Sequence, residues 1–176
     1  YIAFMFISGL ALSLGLLMLY PGHPAYLSIQ TLALYLLLVP TAWYDFKYMK
    51  IPNKIILTGI AVRFLFYAVN LFVDAESFFV AVKSDIVACL LIGGILLILR
   101  VLFKTGIGYG DIKLLLMMSF FQGVEAAVSS LFISLLIAWF YAIFLLITRK
   151  KSRKDTIPFA PLILIGTYIS MWLVGA

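Results

Sequence analysis

Two aspartates stand at the borders of long apolar runs, Asp45 in Trp43-Tyr44-Asp45-Phe46-Lys47 and Asp111 in Gly106-Ile107-Gly108-Tyr109-Gly110-Asp111. Taken singly, each has a structural reading: an N-cap for Asp111 and an interfacial charge paired with Lys47 for Asp45. Taken together, they suit acid–base hydrolysis. If the two helix ends are adjacent, like-charge repulsion and partial desolvation push the two pKa values apart, leaving one group protonated and one ionised near neutral pH. The ionised carboxylate takes a proton from water as it attacks a peptide carbonyl. Its partner protonates the carbonyl oxygen and later passes a proton to the leaving amine. The helix macrodipole favours Asp111, at a helix N-terminus, as the base, and leaves Asp45, at a helix C-terminus, as the acid.

The flanking residues give both groups a setting. Gly106, Gly108 and Gly110 permit positive φ and close approach of another chain. Lys113 is a cation in a first helical turn, against the dipole. It suits a phosphate headgroup, a carboxylate or simply a cytoplasmic position. Ile51-Pro52-Asn53-Lys54 reads as a helix start with Asn53 as N-cap after an extended Ile-Pro. Pro40 should weaken the helix that ends near Asp45 and re-aim its carboxyl.

The elements that position these residues follow from composition. Of 176 residues, 65% are hydrophobic and 11% charged, against roughly 25% charged in a soluble domain. Apolar runs over about 1–19, 26–45, 54–73, 86–103, 111–122, 124–148 and 157–175 show no period-two alternation, which argues for helices over a β-barrel. The expected fold is an all-α polytopic membrane protein, a bundle of about seven (six to seven) transmembrane helices forming one domain over 1–176. The run 1–19 lacks a basic n-region and a small-x-small cleavage site, so it is read as a span.

Charge orients the bundle. Lys47, Lys50, Lys54, Arg100, Lys104, Lys113, Arg149, Lys150, Lys151, Arg153 and Lys154 fall on one face against Asp45, Asp111 and Asp155. The opposite face holds Lys83 against Asp74, Glu76, Asp85 and Glu125. The positive-inside rule puts the first face, with both aspartates and the N-terminus, in the cytoplasm. The net charge of +6 is therefore topological, and a nucleic-acid partner is not expected. The run Arg149 to Lys154 could also draw anionic lipid. One cysteine, Cys89, and one histidine, His23, exclude an internal disulfide or zinc cluster, and no cofactor or metal is expected.

Asp45, then Lys50-Ile51-Pro52-Asn53, then Gly108-Tyr109-Gly110-Asp111-Ile112-Lys113, and finally Ile157-Pro158-Phe159-Ala160-Pro161 resemble the type IV prepilin peptidases, membrane aspartic proteases with a Gly-x-Gly-Asp motif. The resemblance runs from about Trp43 to Gly166. It implies an integral peptidase of a prokaryotic cytoplasmic membrane, serving type IV pilus assembly and protein secretion. Such an enzyme removes a short basic leader from prepilin-like precursors at the cytoplasmic face, just after a glycine. The family's catalytic aspartates carry over to Asp45 and Asp111, with Gly108, Gly110, Lys113, Pro52 and Asn53 as motif support or substrate-binding residues. Long members carry an N-terminal segment with paired cysteines and methylate the new N-terminus. With only Cys89, the chain resembles the short form, and no methyltransferase activity is expected. Presenilin and signal peptide peptidase share the Gly-x-Gly-Asp element, but their Pro-Ala-Leu is here Pro-Phe-Ala-Pro-Leu.

Other classes fit less well. A thiol protease built on Cys89 and His23 would split its residues between an outer loop and a span. A small transporter would carry ionisable groups at mid-depth, where Arg63 stands alone; Arg63 is expected to pair with Asp85 or Glu125, or to snorkel. An assembly scaffold needs no carboxylate pair. Phe46, Tyr48 and Phe120 could line a groove for a substrate helix.

Overall fold

Apolar stretches in hydrocarbon must close their backbone hydrogen bonds within the segment, and these stretches do so as α-helices. The computed structural model describes residues 25–103, 108–149 and 155–174. They form α1 (Ala25–Tyr48), α2 (Asn53–Val73), α3 (Ala75–Phe103), α4 (Tyr109–Ile147) and α5 (Ala160–Val174). Asn53–Val73, Phe78–Leu102 and Tyr109–Ile147 are long and apolar enough to cross a membrane, and Ala160–Met171 is a shorter apolar helix. The run expected at 1–19, His23, Gly106, Lys104 and Lys150 to Lys154 lie outside the described residues.

The fourth run begins at Ala75 rather than 86. Asp74 ends α2 and starts α3: its N–H donates to the Asn70 carbonyl at 2.8 Å, and its Oδ1 accepts the Glu76 N–H at 3.1 Å. Lys83, Ser84 and Asp85, taken as loop residues on polarity alone, are helical. Asp85 is tolerated there because Arg63 of α2 donates to its Oδ2 from Nε at 3.1 Å and from Nη2, and the Tyr67 hydroxyl donates to the same oxygen. Arg63 thus pairs with Asp85, as expected, and does not stand alone at its depth.

The fifth and sixth runs share α4. Gly123, at φ 69° and ψ −174°, breaks it into two helical arms in a conformation essentially reserved for glycine. Along α5, Thr167 meets Met118 of the first arm and Ser170 meets Ala126 of the second. Ser134 then lies back at Gly166, so the second arm retraces the first. The freed backbone groups find partners on neighbouring helices. The Gly123 N–H bonds Asp85, the Val124 N–H bonds Ser84 Oγ at 3.2 Å, and Gln30 Nε2 donates to the Phe121 carbonyl. Among the described residues the expected runs therefore become five helices.

The first arm is the hub. Ile112, Leu114, Leu115, Met117, Met118 and Phe121 are all buried, the all-round apolar character of an interior helix. It runs alongside α2, with Lys113 by Asn53 and Met117 by Gly59, and against α3, with Leu116 by Cys89 and Gly123 by Ser84. α1 runs against α5, pairing Asp45 with Ala160 and Tyr35 with Tyr168. The α1–α2 turn and the starts of α4 and α5 consequently meet at one end of the bundle.

Candidate active site

Asp45 lies in the last turn of α1. Met49, at φ 53°, ends that turn in the left-handed region and returns its N–H to the Asp45 carbonyl at 2.8 Å, an αL cap that ordinarily uses glycine. α1 continues through Pro40 to Tyr48, with the Thr41 hydroxyl donating to the Leu37 carbonyl at 2.7 Å. The Asp45 side chain is buried, 5% exposed, and its Oδ2 accepts the Ala160 N–H at 3.0 Å. Its expected partner Lys47 instead lies over the rings of Trp43 and Tyr48, 5.2 and 5.1 Å from their centroids.

Asp111 is not an N-cap. Gly108 caps α4, with φ −68° and ψ 141°, and Asp111, three residues on, bonds back to the Gly108 N–H, half of a capping box. The two carboxyls are near enough for the Asp45 charge to act on Asp111. Positive φ plays no part in the described glycines of this motif, since Gly108 is extended and Gly110 is helical. They supply space. A Cβ on Gly108 would sit 2.7 Å from Asp111 Oδ2, and one on Gly110 would sit 3.2 Å from Ile51 Cβ.

The Ile-Pro-Asn segment packs onto this turn. Pro52 is the N-cap of α2, at φ −69° and ψ 123°, with no side-chain cap. Asn53, expected to cap, is the first helical residue, and its Oδ1 accepts a hydrogen bond from Lys113 Nζ at 3.1 Å. Lys113 therefore bridges two helix starts. Around this end Phe46 and Tyr48 are exposed and the Arg100 guanidinium stacks on Tyr109, whereas the half-buried Phe120, expected to share a groove with them, lies by the Gly123 break at the other end of the first arm.

Three separate stretches are thus brought together: Asp45, the Pro52–Asn53 turn against Gly108–Lys113, and the start of α5. Sequence reasoning missed the Ala160 N–H on Asp45. The dipole argument considered only each aspartate's own helix, whereas Asp45 also faces the positive N-terminal end of α5, so the dipole no longer ranks the two. The signal available was Pro158-Phe159-Ala160-Pro161, a helix start near the right end. Two carboxyls at one end, each with a backbone N–H on it, can hold a water and move protons on either side of a bond. Among the described residues no group of three or more His, Cys, Asp or Glu could hold a metal, and Cys89 faces the Leu116 carbonyl.

Residues 32–143 match the model of a family described as the type IV leader peptidase family. The prepilin leader peptidase/N-methyltransferase of Bacillus subtilis (strain 168) is 28% identical over 134 residues, 76% of this chain and 51% of that protein. The protein of the same name from Aeromonas hydrophila is 28% identical over 149 residues, 84% of this chain and 50% of its own. The chain spans about half the length of these curated relatives. No solved structure matches.

Proposed function

The chain belongs to the type IV leader peptidase family, and from that premise we propose that it is an aspartic endopeptidase that removes the leader of prepilin-like precursors with an Asp45/Asp111 dyad. The observation that carries the reading is the convergence of the two carboxyls at one end of the bundle, Asp45 on the Ala160 N–H at the start of α5 and Asp111 on the Gly108 N–H at the start of α4. In this reading the pair shares one proton. One carboxylate takes a proton from water as it attacks the scissile carbonyl while the protonated partner gives its own to the carbonyl oxygen; on collapse the proton taken from water goes to the leaving amine and the diol hydroxyl returns one to the partner. Neither role is assigned to one aspartate, because a coupled pair titrates as a unit. Gly108 and Gly110 make room for the carboxyl and for Ile51, and Pro52, Asn53 and Lys113 join the two helix starts.

The multi-pass arrangement belongs to the same proposal. Counting the two arms of α4 and the run 1–19 gives seven spans in one integral domain. With the N-terminus inside, both aspartates face the cytoplasm of a prokaryotic plasma membrane, on the side that carries the basic excess. The substrate is a membrane precursor whose short basic leader ends in glycine ahead of an apolar helix, and type IV pili or a related secretion apparatus would consume the product. Methyl transfer, the second activity in the relatives' names, is not part of the proposal.

The test is cleavage in liposomes of a model precursor with a basic leader ending in Gly, comparing wild type with Asp45→Asn and Asp111→Asn. Wild type should cut after the Gly, and each variant should lose at least about 10³-fold in rate while remaining folded. Mass measurement of the new N-terminus separates cleavage from methylation. Variants that cut like wild type would return the aspartates to structural roles and open the scaffold reading, with proteoliposome flux deciding for a transporter.

A further inference from the structure

The last helix does more than close the bundle. The Phe159 carbonyl accepts the N–H groups of Leu162 and Ile163 at 3.0 Å each, which makes Phe159 the residue that opens α5. Pro161 has no N–H, and the Leu162 N–H is spent on Phe159. Of the first three helical residues, Ala160 alone has an N–H free to serve a side chain, and that N–H is on Asp45 Oδ2 at 3.0 Å. Both partners are buried, Ala160 at 1% exposed and Asp45 at 5%. The contact joins positions 115 residues apart, and among the described residues it is the hydrogen bond that the Asp45 carboxyl makes. Proline at 158 and at 161 restricts the chain on either side of the donor.

We infer that Ala160 is a positioning residue of the peptidase site: its backbone N–H occupies Asp45 Oδ2 and so turns Oδ1 toward Asp111 and the attacking water. This rests on the peptidase reading and adds the start of α5 to it. A carboxyl in the last turn of α1 would otherwise rotate about χ1 and χ2. Catalysis by a carboxyl pair depends on holding both within a fraction of an ångström of the reacting atoms. The role belongs to the main chain, so side-chain replacement at 160 does not remove it, but proline does. Proline is also tolerated at the first position of a helix.

Two measurements test the inference on the intact protein. In the cleavage assay Ala160→Pro should lower kcat by about 100-fold with KM unchanged, and Ala160→Gly, which keeps the N–H, should recover most of that loss. Wild-type kcat in Ala160→Pro, or equal losses in both variants, overturns the inference. The second measurement needs neither the proline variant nor substrate: hydrogen exchange at the Ala160 amide in 15N-alanine-labelled protein. Exchange should be slow in wild type, stay slow in Asp45→Asn, whose amide oxygen still accepts, and speed up at least about tenfold in Asp45→Ala. Equal exchange in all three overturns the contact. A failure of the peptidase reading shows differently, as precursor left uncut by wild type while Ala160 remains protected through Asp45.

Discussion

Lys113 Nζ donates a hydrogen bond to Asn53 Oδ1 at 3.1 Å, joining the first turns of α2 and α4 across 60 residues of sequence. The lysine sits two residues from Asp111 on the same turn, so the bond ties the turn carrying one aspartate to the turn that follows the other. The cost of a cation placed against its own helix dipole is offset here by the Asn53 amide oxygen that accepts its hydrogen bond.

Removing either partner should loosen this link without unfolding the chain. Lys113→Met and Asn53→Ala should each lower the cleavage rate by about tenfold, corresponding to about 1.4 kcal/mol. In a double-mutant cycle the pair should show a coupling of about 1 kcal/mol. Rates that simply multiply in the double variant would show that the two act separately.

Gly108 is the residue whose replacement should strike Asp111 most directly. Its backbone is extended, so alanine fits the local conformation, but the added methyl would lie 2.7 Å from Asp111 Oδ2. Gly108→Ala should therefore cost about 100-fold in kcat with little change in thermal stability. A melt that falls in step with activity would point instead to a general disruption of the turn.

The Arg63–Asp85 pair is buried on both sides, 3% exposed each. Removing one member leaves an uncompensated charge, so Arg63→Met should destabilise by about 3–5 kcal/mol in denaturant titration of the detergent-solubilised protein. The double variant Arg63→Met/Asp85→Leu should recover only part of that loss. Asp85 also accepts from the Gly123 N–H and the Tyr67 hydroxyl, and an apolar side chain leaves both donors without a partner. Complete recovery would mean the pair matters only as a pair.

Two glycines should behave oppositely. Gly123→Ala meets a positive φ and a Cβ position 2.7 Å from Ser84 Oγ, and should cost about 2–4 kcal/mol. Gly94, in the middle of α3, has nothing within 4 Å of a Cβ, and Gly94→Ala should be neutral or stabilise by up to about 1 kcal/mol. The same denaturant titration reads both.

Much of this architecture is legible in residue order. The apolar runs mark the helices, and the boundary between 111–122 and 124–148 falls on the glycine where α4 reverses. The Pro52 and Gly108 starts lie where proline and glycine punctuate the chain. Polarity misled at Lys83 to Asp85, because a charge inside a helix is acceptable once another helix supplies its counter-ion, and that partner is 22 residues away. Asn53 misled for a related reason: a capping residue and a residue that reaches across to Lys113 look the same from their local neighbours. The Ala160 donor is legible only as far as a helix start at Pro158 to Pro161, because every non-proline residue carries an N–H, and only the fold decides which one meets Asp45.

The one-residue reversal at Gly123 bears on how the protein is made. The arm over 109–122 rises about 21 Å at 1.5 Å per residue, short of the roughly 30 Å of hydrocarbon, so it is a poor segment to partition into lipid by itself. No linker separates it from the second arm, and the Gly123 and Val124 N–H groups are bonded only once Ser84 and Asp85 are beside them. The reversal therefore has its backbone groups satisfied only when both arms lie against α3 as one hairpin. Because the Asp45 carboxyl is met by the Ala160 N–H, the carboxyl pair has its full set of partners only once α5 has docked, after both arms have been made.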